Sequence, residues 1–78
     1  MPQNKPLAEN DLAAIAKRFR KQAGKSRAQA AREMGVAQTT IFNAEETPEL
    51  SLLKMRRRLI EAYSPYLVRG PVYFLERK

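Results

Sequence analysis

The first sustained pattern along the chain is helical. From about Leu7 to Ala23, the apolar residues Leu12, Ile15, Ala16, Phe19 and Ala23 recur at i, i+3, i+4, i+7 and i+11. That spacing gathers them on one stripe of a helix and leaves the basic residues to its other faces. Asn10 and Asp11 stand where they would cap this helix or lie in its first turn, and Gly24 can end it. Ser26-Arg27-Ala28-Gln29 has the spacing of a capping box, which predicts a short second helix from Arg27 to Met34. Gly35 stops that helix, because a residue without a Cβ takes positive φ at no steric cost. A third helix is expected from about Gln38 to Glu45. A fourth is expected from Pro48 to about Tyr63, with Thr47 as N-cap, Pro48 in the first helical position and Glu49 near the positive end of the dipole. Its buried side would carry Leu52, Leu53, Met55, Leu59, Ile60 and Tyr63.

After Ser64-Pro65 the character changes to β-formers: Tyr66, Leu67, Val68, Val72, Tyr73, Phe74 and Leu75, punctuated by Gly70-Pro71. So apolar a tail needs a partner. Val72, Tyr73, Phe74 and Leu75 are expected to run extended and pair antiparallel with a second copy across a two-fold axis, with Phe74 on the protein side. The alternative is a hairpin closed within one chain around Arg69-Gly70-Pro71. The fold class expected is mainly α. Residues 1–6 form a flexible arm, residues 7–63 a compact four-helix domain, and residues 64–78 a C-terminal extended segment that makes the dimer.

Composition narrows the chemistry. Fifteen Lys and Arg against eight Asp and Glu leave a formal charge of +7 on 78 residues, an excess that commonly answers to a polyanion. A chain this short buries only about 60% of its unfolded surface, so assembly would help it. There is no Cys and no His, which removes thiolate metal sites, disulfides, and the commonest general base. Catalysis, metal and cofactor are therefore not expected. The opening MPQNKPLAEN has no apolar run of leader length, and Leu12–Ala16 falls far short of the ~20 residues of a membrane span. The expected location is the cytoplasm, on the nucleoid.

The charge is also segregated. Leu12 to Arg32 holds seven basic residues and no acid, and Glu33 to Leu53 holds four acids and no base. Lys54, Arg56, Arg57 and Arg58 then form a second basic cluster, with Arg56 inside the apolar stripe of the fourth helix. Such an alternation suits a neutral helix that reads bases between clusters that hold phosphates.

Two short helices about a Gly-containing turn, with Ala31 at the crossing and Ala30, Met34, Val36, Ile41 and Ala44 as apolar contacts, can lay a helix in the DNA major groove. Over these residues the stretch AREMGVAQTTIFNA resembles the lambda-repressor-like (Cro/CI-type) helix-turn-helix family, nearest in character to phage Cro proteins. The resemblance extends over roughly Leu12 to Ile60 and is strongest from Ser26 to Glu45. It implies an ion pair between Arg20 and Glu45 at the edge of the core, and Pro48-Glu49-Leu50 followed by Leu53 is similar to the start of the family's fourth helix. Lys25 stands where an apolar residue is usual, Ala30 where Leu is usual, Phe42 where a polar residue is usual, and Ala44 where Trp is frequent.

With Ile41 and Ala44 turned inward, Gln38, Thr39, Phe42 and Asn43 are the expected base contacts. Gln and Asn can bond an adenine edge, Thr can bond or touch a methyl, and Phe can pack on a thymine methyl. Lys25, Arg27, Arg32 and Thr40 are the expected phosphate contacts, Arg27 and Lys25 beside the amides at the start of the second helix. The reading is a sequence-specific regulator, most simply a repressor, bound as a homodimer to an inverted repeat in double-stranded DNA. The competing reading is an antitoxin-like or anti-regulator module that binds another protein through the apolar tail and Arg56. RNA binding ranks third, since the sequence offers no clear aromatic sheet surface for it.

Overall fold

The computed structural model describes residues 7–70 and 73–78. The expected arm over residues 1–6, and Val72 within the expected dimer strand, lie outside the described residues. Four helices, α1 (Glu9–Gln22), α2 (Arg27–Met34), α3 (Gln38–Glu46) and α4 (Leu53–Tyr63), precede two strands, β1 (Tyr66–Arg69) and β2 (Phe74–Arg77).

Local signals set most of the helix ends. Asp11 lies in the first turn of α1, where its Oδ2 accepts from the Ala8 N–H at 2.9 Å. At the start of α2 the Ser26 hydroxyl accepts from the Gln29 N–H at 3.1 Å, and Gln29 Oε1 accepts from the Ser26 N–H at 2.8 Å. Gly24 and Gly35 end α1 and α2 in left-handed conformation, at φ 73° and 68°.

The core runs from Leu12, Ala16 and Phe19 of α1 through Ala30, Ala31, Ile41 and Ala44 to Met55, Leu59 and Ile60 of α4, and is closed by Val68 and Leu75 of the sheet. Alanines at Ala16, Ala30 and Ala44 are fully buried, so the helices approach closely where these small side chains meet. No helix among the described residues is long and apolar enough to cross a membrane.

Two expectations are corrected. The fourth helix begins at Leu53, not Pro48. In a helix started at Pro48, the carbonyls of Thr47 and Leu50 would accept from backbone amides further along. Here they accept from the Arg56 guanidinium, Thr47 from Nη2 and Leu50 from Nη1, each at 2.8 Å, and their backbone donors sit only three and two residues on, the Leu52 N–H reaching the Leu50 carbonyl at 3.0 Å. Residues 47–52 become a turn, closed by the Leu50 N–H to the Thr47 carbonyl at 3.1 Å.

The second correction concerns the tail. The alternative, pairing within one chain, is what forms: β2 pairs antiparallel with β1, Val68 opposite Leu75 and Arg69 opposite Phe74. Tyr73 also bonds to the N-terminal side, its carbonyl accepting from the Leu7 N–H at 2.6 Å. Residues directly opposite in an antiparallel pair share a face. Once Val68 is buried against the helices, Leu75 must be too, and Phe74 is turned outward, 36% exposed. The expected facing of Phe74 and Leu75 is thus reversed.

Arg56 is fully buried at the centre of this arrangement. Besides Thr47 and Leu50, its Nε donates to the Ala44 carbonyl at 2.9 Å and its Nη1 to Glu9 Oε1 at 2.8 Å. Removing one partner of a buried charge cluster costs about 3–5 kcal/mol, because the groups left behind lose their bonds without regaining water. We expect Arg56→Met to lower the unfolding free energy by about that 3–5 kcal/mol, as read by denaturant titration followed by circular dichroism. Glu9→Gln, whose carboxylate is partly exposed, should cost about 1 kcal/mol. Equal losses from the two variants would mean that the ion pair, not the carbonyl clamp, carries the stability.

Candidate nucleic-acid interface

The outward face of α3 is assembled by its neighbours. The turn from α2 is fixed by the Gly35 N–H to the Arg32 carbonyl at 3.3 Å and the Val36 N–H to the Ala31 carbonyl at 3.0 Å. Ile41, Ala44 and Glu45 face inward and are buried. That leaves Gln38, Thr39 and Phe42 exposed together, with Thr40 and Asn43 half-buried. Arg27, Gln38, Thr39 and Phe42 bound one open hollow. The Arg27 guanidinium lies over the Phe42 ring, 5.0 Å from its centroid.

The acids close to this face are paired with bases, Glu45 buried and Glu46 and Glu33 exposed. Glu45 receives the Arg20 guanidinium at two points, Nε to Oε2 at 2.6 Å and Nη2 to Oε1 at 3.0 Å. Arg27 Nε adds a third bond to Oε1, also at 3.0 Å. Glu46 pairs with Lys17 at 2.5 Å and with Arg27 Nη2. Lys25 pairs with Glu33 at 2.8 Å, and Glu33 also accepts from the Tyr63 hydroxyl at 2.5 Å. The acids of residues 33–53 are therefore largely counter-ions of the bases in residues 12–32, an explanation of the charge segregation that the sequence alone did not offer.

This changes the phosphate assignment. Of the four expected contacts, Lys25 and Arg27 already hold carboxylates, Thr40 is half-buried, and Arg32 is exposed without a carboxylate partner among the described residues. Arg18, Lys21, Lys54 and Arg58 are likewise exposed and without such partners among the described residues. Arg58 Nη2 donates to the Met34 carbonyl at 2.8 Å, where a cation also favours the negative end of α2. Lys54, Arg57, Arg58 and Glu61 line a second open cleft along α4. The pairings Lys17–Glu46 and Glu33–Tyr63 join residues about thirty apart in the chain, and no local spacing could have announced them.

No protein-family model, curated protein or solved structure matches the chain. Among the described residues no cluster of acids is placed to hold a metal ion.

The ion pairs shift their carboxyls. The Lys25 hydrogen bond, then that of Tyr63, hold Glu33 below its ordinary value of 4.5, and the Lys17 hydrogen bond with the charges of Lys17 and Arg27 does the same for Glu46. Burial, then the bond to Glu33, pushes the Tyr63 phenol up to about 12. A depressed carboxyl binds its proton more weakly in the folded state, so its contribution is present at neutral pH and is lost as pH falls below the unfolded value. Denaturant midpoints should therefore drop from below about pH 4.5, and Glu33→Gln with Glu46→Gln should flatten that acid limb. An unchanged acid limb in the double variant would show that these two pairs do not couple to folding.

Proposed function

We propose that the chain is a sequence-specific double-stranded DNA-binding regulator of the helix-turn-helix type, most simply a repressor, which lays α3 in the major groove as a homodimer. One observation carries the reading. Gln38 and Thr39 stand exposed and uncharged at the start of α3, beside the capped N-terminus of α2 and across a left-handed Gly35 turn. Amide and hydroxyl side chains at the leading end of such a helix are suited to base edges, Gln to an adenine in particular. Asn43, further along and half-buried, is assigned a lesser contact. Arg32 and the cations of α1 and α4 that lack carboxylate partners supply the attraction to phosphate that binding of any sequence requires.

Homodimer formation follows from the use of such helices in pairs. Half-sites lie about one helical turn, ~34 Å, apart, so two copies must be held in a fixed relation. One edge of β2 is already taken by β1, and Leu7 bridges to Tyr73 just before the strand. The contact between copies is therefore assigned to the far stretch of β2 and to Phe74, whose large apolar ring is turned outward.

Selection of bound duplexes from a random pool tests class and symmetry together, and an enriched inverted repeat is the expected result. On that duplex Gln38→Ala should cost about 1–3 kcal/mol and relax preference at one base pair per half-site, measured by competition binding. An equal loss on unrelated DNA would remove Gln38 from the reading face.

A further inference from the structure

Arg27 is held in a way that a phosphate grip does not require. Its Nε donates to Glu45 Oε1 at 3.0 Å and its Nη2 to Glu46, so one edge of the guanidinium is fixed by the last turn of α3. Both anchors are themselves tied down, Glu45 by Arg20 and Glu46 by Lys17. The same guanidinium lies over the ring of Phe42, one turn earlier on α3. Phe42 is 46% exposed, a large apolar ring on a face whose other exposed residues are polar. Together with Gln38 and Thr39 the pair bounds the open hollow on that face.

Resting on the reading of α3 as the base-reading helix, the geometry points to Arg27 as a positioning residue that holds the Phe42 ring as the wall of a slot for a pyrimidine 5-methyl group. That methyl is the one apolar group that standard base pairs present in the major groove, so a fixed aromatic wall has a single natural occupant there. Gln38, on the rim of the same hollow, brings the amide that bonds an adenine edge, so a thymine and a neighbouring adenine are read together. The charge of Arg27 is spent on two carboxylates. Its contribution is therefore selectivity, and it adds little to the release of counterions from phosphate.

The test uses the full chain and its selected duplex, with thymine replaced by uracil one position at a time, which removes the methyl and leaves the pairing edge intact. At one position per half-site the wild type should bind the uracil duplex about three- to fivefold more weakly, the value of one buried methyl. Phe42→Ala and Arg27→Ala should both lose this penalty, and Arg27→Ala should keep the wild-type salt slope. Glu46→Gln, on an exposed side chain, releases one anchor of the guanidinium and should reduce the same penalty without unfolding the protein. Uracil substitution without effect at every position of a duplex that the protein does select overturns the inference alone. So does an Arg27→Ala variant that keeps the penalty and loses about one unit of salt slope, the mark of a phosphate contact. Failure to select any duplex overturns the DNA-binding reading, and this inference with it.

Discussion

A guanidinium buried at the centre of a 78-residue protein has to be satisfied on the spot, and the answer to that demand at Arg56 organises the fold. Four bonds meet there: the carbonyls of Ala44, Thr47 and Leu50, and the carboxylate of Glu9. The three carbonyls come from the end of α3 and the connection after it, where unpaired acceptors and the helix dipole both favour a cation. Glu9 brings in the first turn of α1. One side chain of α4 thus ties together α1, the end of α3 and the link between α3 and α4. A hydrophobic residue in its place would remove all four of these bonds at once, which is why the position tolerates a charge in an apolar stripe.

The second tie on α3 is the carboxylate network of Glu45 and Glu46 with Lys17, Arg20 and Arg27. Arg56 holds the end of the helix to α4, and Glu45 and Glu46 hold its last turn to α1 and α2. Rotation of α3 about its own axis would break one set or the other. Its outward face is consequently fixed as Gln38, Thr39 and Phe42, and its acids are consumed by bases behind it. A neutral outward face within a strongly basic protein is the product of that arrangement.

What was legible in the sequence is what local chemistry decides. The Ser26–Gln29 box and Gly35 gave the bounds of α2 because caps act within a few residues. The inward turn of Ile41 and Ala44, and hence the exposure of Gln38 and Thr39, followed from the helical period. The start of α4 was misplaced because Thr47-Pro48-Glu49 is a sound local start signal, and the bonds of a side chain several residues later hold that stretch as a turn. The tail was misjudged for a related reason. β-forming residues declare a strand but not its partner, and the facing of Phe74 depends on Val68 being buried against the helices. The ion pairs of Arg27 were not legible because its carboxylate partners lie far along the chain, and that of Lys25 because Glu33 reaches it only across the turn between α1 and α2.

The central claim is that the face bearing Gln38, Thr39 and Phe42 meets DNA. Backbone amide shifts of the isotopically labelled protein, followed by NMR as a selected duplex is added, test it directly. The account predicts that the largest changes fall at the start of α3 and the N-terminus of α2, with the core amides of α1 and α4 little moved. Changes concentrated on β1, β2 and the outer face of α1, with the start of α3 silent, would contradict it.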